Sequence, residues 1–145
     1  MSQRSQGEHK LEIVVLYCRY CIGDDEVMKI KQKEYDSFTA RFLAMPCTSK
    51  IEISHLLKII AEGADGLQVV SCKENQCHHL VGNIRAEKRI EYARRLLDEI
   101  RMGADRLGID RGEGLSFSYL VNLARQRAET VRPYGPNLMK RGAAR

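Results

Sequence analysis

At 145 residues, the chain has the length of one domain with a sizeable buried core. Hydrophobic residues at 43% and charged residues at 30% exclude a disordered or low-complexity protein, and no run of 18 apolar residues is present to span a membrane. The net charge of +5 and a pI near 9.0 permit nucleic acid or an acidic partner without requiring either.

In chain order, residues 1–10 (MSQRSQGEHK) are polar and lack the apolar stretch of a secretion signal. They are expected to be a disordered start, and the chain to be cytoplasmic. Leu11–Tyr17 (LEIVVLY) is a short β-branched apolar run, expected to be a buried strand. It ends on Cys18. Residues 22–38 are mixed and charged, expected as a loop with a helical stretch. Ala40–Met45 (ARFLAM) reads as a second strand, followed by Pro46 and Cys47.

Ser49 and Glu52 have the spacing of a capping box, a hydroxyl with a glutamate three residues on. Behind them Ile53, Leu56, Leu57, Ile60, Ala61 and Ala64 share one face of a helix, and Glu62–Gly66 (EGADG) reads as the turn to the next strand. Leu67–Val70 is the third strand, followed by Ser71 and Cys72. From Asn83 to about Met102 a long helix is expected, with Ala86, Ile90, Ala93, Leu97 and Ile100 as its apolar stripe and a basic opposite face. Arg106–Asp110 is a candidate fourth strand. Phe117–Val131 is a last helix, and residues 132–145 read as an extended basic tail.

Strands alternating with helices predict an α/β fold: a small three-layer domain over residues 11–131, with a mainly parallel sheet of three to four strands between flanking helices. Ligands of such sheets sit outside the carboxyl ends of the strands. Cys18, Cys47 and Cys72 each fall just past a predicted strand, and Cys21 and Cys77 lie in the same loops, as C-x-x-C and C-x4-C. All five cysteines are thus expected at one rim. In a reducing cytoplasm such a group points to metal or redox chemistry rather than disulfides. Zinc usually knits together small folds that cannot form without it. A [2Fe–2S] cluster needs four thiolates and suits a rigid sheet edge. Four of Cys18, Cys21, Cys47, Cys72 and Cys77 are therefore the expected ligands, with one spare. His78 and His79 follow Cys77; a histidine ligand of Rieske type is conceivable, but enough thiols exist without it, and the better reading is a donor from outside the ligand set or a solvated surface residue.

Two other readings compete. Cys18 and Cys21 could form a thiol–disulfide oxidoreductase, which leaves three cysteines without a role. A zinc-containing basic module could contact nucleic acid, but aromatic residues are 6% of the chain and do not cluster with Arg or Lys. No phosphate loop, dinucleotide fingerprint or Ser/His/Asp arrangement is present.

Over about residues 11–102 the chain resembles the delta subunit of methyl-viologen-reducing hydrogenase. The likeness rests on Cys18–Cys21 (CRYC), Pro46–Glu52 (PCTSKIE), Glu62–Gly66 (EGADG) and Val69–Arg89 (VVSCKENQCHHLVGNIRAEKR). This resemblance implies a non-catalytic electron-transfer subunit with one [2Fe–2S] cluster, and carries the family's cysteine positions onto Cys18, Cys21, Cys47, Cys72 and Cys77. It further implies a donor of hydrogenase or formate dehydrogenase type. The acceptor would be the FAD-containing heterodisulfide-reductase-A-like subunit of an electron-bifurcating complex.

Overall fold

The apolar run that opens at Leu11 forms the central strand of the sheet, buried at every position but Glu12, so that it can be covered on both faces. The computed structural model describes residues 10–23, 29–45, 52–72 and 82–137, leaving out the side chains of Cys72 and of residues 82–86. Among the described residues there are five strands, β1 Leu11–Cys18, β2 Gln32–Glu34, β3 Phe38–Met45, β4 Gly66–Cys72 and β5 Leu107–Gly112. With them, among the described residues, are three α-helices, α1 Ile53–Ala61, α2 Gly82–Glu99 and α3 Phe117–Val131. The sheet order is β2-β3-β1-β4-β5, parallel throughout except for β2 against β3.

Helices cover both faces, giving the expected three layers. On one face Ile13, Val15, Tyr17 and Val70 pack against Leu120, Ala124 and Ala128 of α3. On the other, Val14, Leu16, Leu67 and Val69 meet Leu56 and Ile60 of α1 and Ile90, Ala93 and Leu97 of α2. The alternation of side chains along β1 divides its apolar run between these two cores.

From β1 the chain moves one way to β3. It then crosses back over β1, through α1, to β4, and continues through α2 to β5. Ile22, Ile30 and Tyr35, in the connection from β1 to β3, pack on the α3 face, opposite α1 and α2. Connections leaving β1 and leaving β4 therefore run to opposite faces. That topology makes the carboxyl ends of those two strands the switch point of the sheet, the crevice position at which open α/β sheets receive ligands.

Several local expectations change. Residues 32–38 form the strand β2 and a hairpin turn, closed by Tyr35 N–H donating to Phe38 O at 2.8 Å, in place of the expected loop with helix. The helix α1 starts at Ile53 with Glu52 as its N-cap, one turn later than a cap at Ser49 requires; Ser49 itself lies outside the described residues. There Glu52 N–H donates to His55 Nδ1 at 3.3 Å. The helix α2 ends at Glu99 rather than near Met102, and Ile100 is exposed instead of joining the stripe. Arg101 takes a left-handed φ of 64°, and Met102 N–H closes the end on Leu97 O at 2.9 Å.

The first residues of the expected tail turn back onto the domain. After a 3₁₀ turn at Arg132–Tyr134, Asn137 is 1% exposed at the amino edge of the sheet. Its side-chain amide donates to Ile60 O at 2.6 Å and Ala64 O at 2.7 Å. Asp65, fully buried, accepts from Asn137 N–H at 2.7 Å with one oxygen and from Glu12 N–H at 2.8 Å with the other. Arg106, 3% exposed, donates to the carbonyls of Met102, Asp65 and Gly135 at 2.8, 2.9 and 3.0 Å. These contacts tie the start of β1, the entry to β4 and the strap after α3 at the edge opposite Cys18 and Cys72.

Candidate metal centre

Strand register brings the carboxyl-edge residues together. Cys18 is the last residue of β1 and pairs with Met45, the last of β3. On the other side Tyr17 pairs with Val70, so Cys72, the last residue of β4, lies one step beyond the level of Cys18 on the adjacent strand. Neighbouring strands run about 4.8 Å apart. Cys18 and Cys72 thus end the two strands that border the crevice. Cys47 falls two residues after Met45, and it, Cys77, His78 and His79 lie outside the described residues.

The C-x-x-C segment forms a 3₁₀ turn over Arg19–Cys21. This turn folds Cys21 back so that its Sγ lies 3.0 Å from Cys18 O, with the thiol donating. Cys18 is 2% exposed and Cys21 fully buried, and no disulfide joins them. Between them Arg19 and Tyr20 face solvent. The loop is anchored to the β5–α3 connection: Leu115 N–H donates to Cys21 O and Gly23 N–H to Leu115 O, both at 2.9 Å. A side chain on Gly23 would press at 3.0 Å on the Gly114 backbone, so the two loops touch directly. Nothing in the sequence pattern singles out Leu115 as a partner of the cysteine loop.

Burial, reinforced by the neighbouring Cys18, pushes the Cys21 thiol from an ordinary 9.0 up to about 12. Tyr17, directly before Cys18 and packed in the same core, is also raised, by burial first and Cys21 second. A thiolate at Cys21 is therefore unfavourable unless a cation compensates it, the condition that a bound metal supplies. In the metal-free folded chain Cys21 should react with iodoacetamide at pH 8 more than about a hundredfold more slowly than in urea. The unfolded chain gives up this proton near pH 9 and the folded chain near 12. The metal-free fold should keep its full stability below pH 9 and lose part of it as pH rises toward 12. Urea titrations at about pH 8 and pH 10.5 check this, and equal midpoints would contradict it.

Among the described residues, no three cysteine, histidine or carboxylate side chains gather as a metal site. Of the five cysteines only Cys18 and Cys21 have described side chains. These two fit one side of a metal–thiolate centre: two thiols three residues apart in a loop held by the Leu115 backbone, buried among apolar residues. Among the described residues no helix is long and apolar enough to cross a membrane.

The family described as methyl-viologen-reducing hydrogenase, delta subunit, matches residues 13–135. The chain is similar to the vhu iron-sulfur subunit of the F420-non-reducing hydrogenase of Methanocaldococcus jannaschii, 29% identical over 130 residues that cover 88% of this chain and 96% of that one. The subunit of the same description from Methanococcus voltae is 31% identical, over 89% of this chain and 96% of its own. The chain is also similar to part of the A subunit of the ferredoxin:CoB-CoM heterodisulfide reductase of Methanosarcina mazei, 25% identical over 94% of this chain but 18% of that protein.

Proposed function

Because the chain belongs to the methyl-viologen-reducing hydrogenase delta-subunit family, we propose that it is an electron-transfer subunit whose cysteines hold a [2Fe–2S] cluster at the carboxyl edge of its sheet. Four of Cys18, Cys21, Cys47, Cys72 and Cys77 are the ligands in this reading. The observation that carries it is the position of Cys18 and Cys72, which terminate adjacent parallel strands at the crevice between β1 and β4. When bound, the cluster supplies a one-electron store.

The chain's own residues do the remaining work. Cys18 and Cys21 present sulfur from a loop that the Leu115 backbone holds in place. Tyr17, Val70 and Leu120 form a dry wall on one side, and low solvent access is one of the levers on a cluster's potential. Each of α1, α2 and α3 follows a parallel strand and so starts at the carboxyl edge. Their amino ends bring partial positive charge to the rim where a cluster and its thiolates would place negative charge.

In the same reading, electrons pass from a hydrogenase or formate dehydrogenase type donor to an FAD-containing heterodisulfide-reductase-A-like subunit, in a cytoplasmic electron-bifurcating complex. The related proteins support this by description. Some are hydrogenase iron–sulfur subunits, and one belongs to a heterodisulfide reductase and contains a stretch similar to nearly the whole of this chain. A thiol–disulfide enzyme is disfavoured, because its attacking cysteine must be reached by a disulfide substrate, and both Cys18 and Cys21 are buried.

Anaerobic purification tests the proposal. The chain should be red-brown and contain about two iron and two acid-labile sulfide per molecule. Colourless protein with zinc would support a zinc module. Colourless, metal-free protein with a reversible Cys18–Cys21 disulfide would support the thiol enzyme.

A further inference from the structure

Gly112, the last residue of β5, pairs with Cys72, the last of β4. Three residues farther on, Leu115 meets the loop that follows β1, although β4 lies between β5 and β1 in the sheet. Leu115 and Ile22 form a one-residue parallel bridge there, flanked by the bonds from Leu115 N–H to Cys21 O and from Gly23 N–H to Leu115 O. Resting on the cluster reading above, we infer that this connection, which carries no cysteine, positions the Cys21 sulfur at the cluster, with Leu115 and Gly23 as the positioning residues.

The connection has little freedom of its own. Only Glu113, Gly114 and Leu115 separate the end of β5 from Ser116, the N-cap of α3, whose hydroxyl accepts from Tyr119 N–H at 3.3 Å. Gly114 takes a left-handed φ of 60°, a conformation that glycine adopts without strain. The residue after it then presents both its N–H and its C=O to the cysteine loop. At Gly23 the constraint is space. A Cβ there would stand 3.0 Å from three backbone atoms of Gly114, and backbone cannot rotate aside as a side chain can. Any larger residue moves the two loops apart. With its own carbonyl and the Gly23 N–H both held, Cys21 keeps one main freedom, rotation about its Cα–Cβ bond. In the metal-free chain that rotation leaves Sγ 3.0 Å from Cys18 O. A cluster's potential follows the hydrogen bonds to its sulfurs and its exposure to water. Shifting the main chain at Cys21 therefore changes the potential while every ligand stays in the chain.

The test uses the full chain, both metal-free and anaerobically reconstituted, with Gly23→Val and the smaller change Gly23→Ala. In metal-free Gly23→Val, iodoacetamide should reach Cys21 about tenfold faster or more, because a buried thiol reacts only when its loop opens. Leu115 N–H should exchange its hydrogen faster by a similar factor. In the reconstituted chain the midpoint potential and the electron paramagnetic resonance spectrum of the reduced cluster should both move. Gly23→Ala should move them in the same direction by less, and it decides alone if Gly23→Val fails to fold or to keep its iron. Wild-type potential and spectrum would overturn the assignment, even with faster exchange at Leu115, since the connection would then serve the fold only. Full cluster content in Cys21→Ser would overturn it too, by marking Cys21 as the spare thiol. Absence of iron and sulfide from the wild type would sink the cluster reading instead. The metal-free rates would still decide whether Leu115 and Gly23 hold Cys21, and unchanged rates would show that they do not.

Discussion

Cys18→Ser should leave the anaerobically reconstituted chain nearly colourless, with iron reduced from about two per chain to about a tenth of that or less. Serine has nearly the shape of cysteine, but its oxygen is a harder ligand that suits iron–sulfur chemistry poorly. Cys18 is also the last residue of the central strand, paired across to Met45 and one step short of the end of β4. A ligand there cannot be replaced by a loop that shifts its path. Cys72→Ser, on the other strand bordering the crevice, should have the same effect. Among the five cysteines one substitution should be tolerated and so identify the spare thiol. Iron and sulfide assays with visible absorption make the measurement, and the metal-free variants should melt within a few degrees of wild type. Full cluster content in both Cys18→Ser and Cys72→Ser would remove the basis of the proposed site.

Asp65→Ala should cost about 3–5 kcal/mol in stability, among the largest effects expected of a single substitution away from the cysteines. The carboxylate is fully buried and accepts from two backbone N–H groups, Glu12 at 2.8 Å and Asn137 at 2.7 Å. Each donor left unmet costs about 1–3 kcal/mol. Arg106 also loses the negative charge that opposes the effect of its own burial. At this chain length the loss corresponds to a melting temperature lower by about 10 °C or more. Asp65→Asn keeps one acceptor oxygen but points its amide at a donor, and should recover part of the loss. Thermal and urea melts of the metal-free chain give the comparison. A change below about 1 kcal/mol would show that the strap at the amino edge does not stabilise the fold. Below the new melting temperature Asp65→Ala should still take up its cluster, because Asp65 lies at the amino edge of the sheet and Cys18 and Cys72 at the carboxyl edge.

The contrast between these two positions shows what one-dimensional pattern reveals. Strands that end in cysteine are visible because a β-branched apolar run and a thiol after it are both local features. The apolar faces of α1 and α3 are visible because helical period writes them into consecutive residues. The strand β2, by contrast, is Gln-Lys-Glu and wholly exposed. It becomes a strand only because the turn at Tyr35–Phe38 lays it against β3. The end of α2 escapes the pattern for a similar reason: Ile100 keeps the helical period, while the left-handed turn at Arg101 takes the chain out of the helix. Glu62–Gly66 is legible as a turn but not as a hub, since Asp65 acquires its role from Asn137, 72 residues later.

From sequence alone come the α/β class, the family resemblance, the confinement of all five cysteines to three loops, and the expectation of metal rather than disulfide. Those follow from composition, local periodicity and adjacency along the chain. Tertiary structure decided that β1 lies between β3 and β4, that Cys18 and Cys72 end adjacent parallel strands at the switch point of the sheet, that Leu115 holds the cysteine loop, and that the chain's last described residues close the opposite edge. The physical reason is that strand order, face and register arise from burying two cores at once. That condition joins residues far apart in the chain, and no local pattern records it.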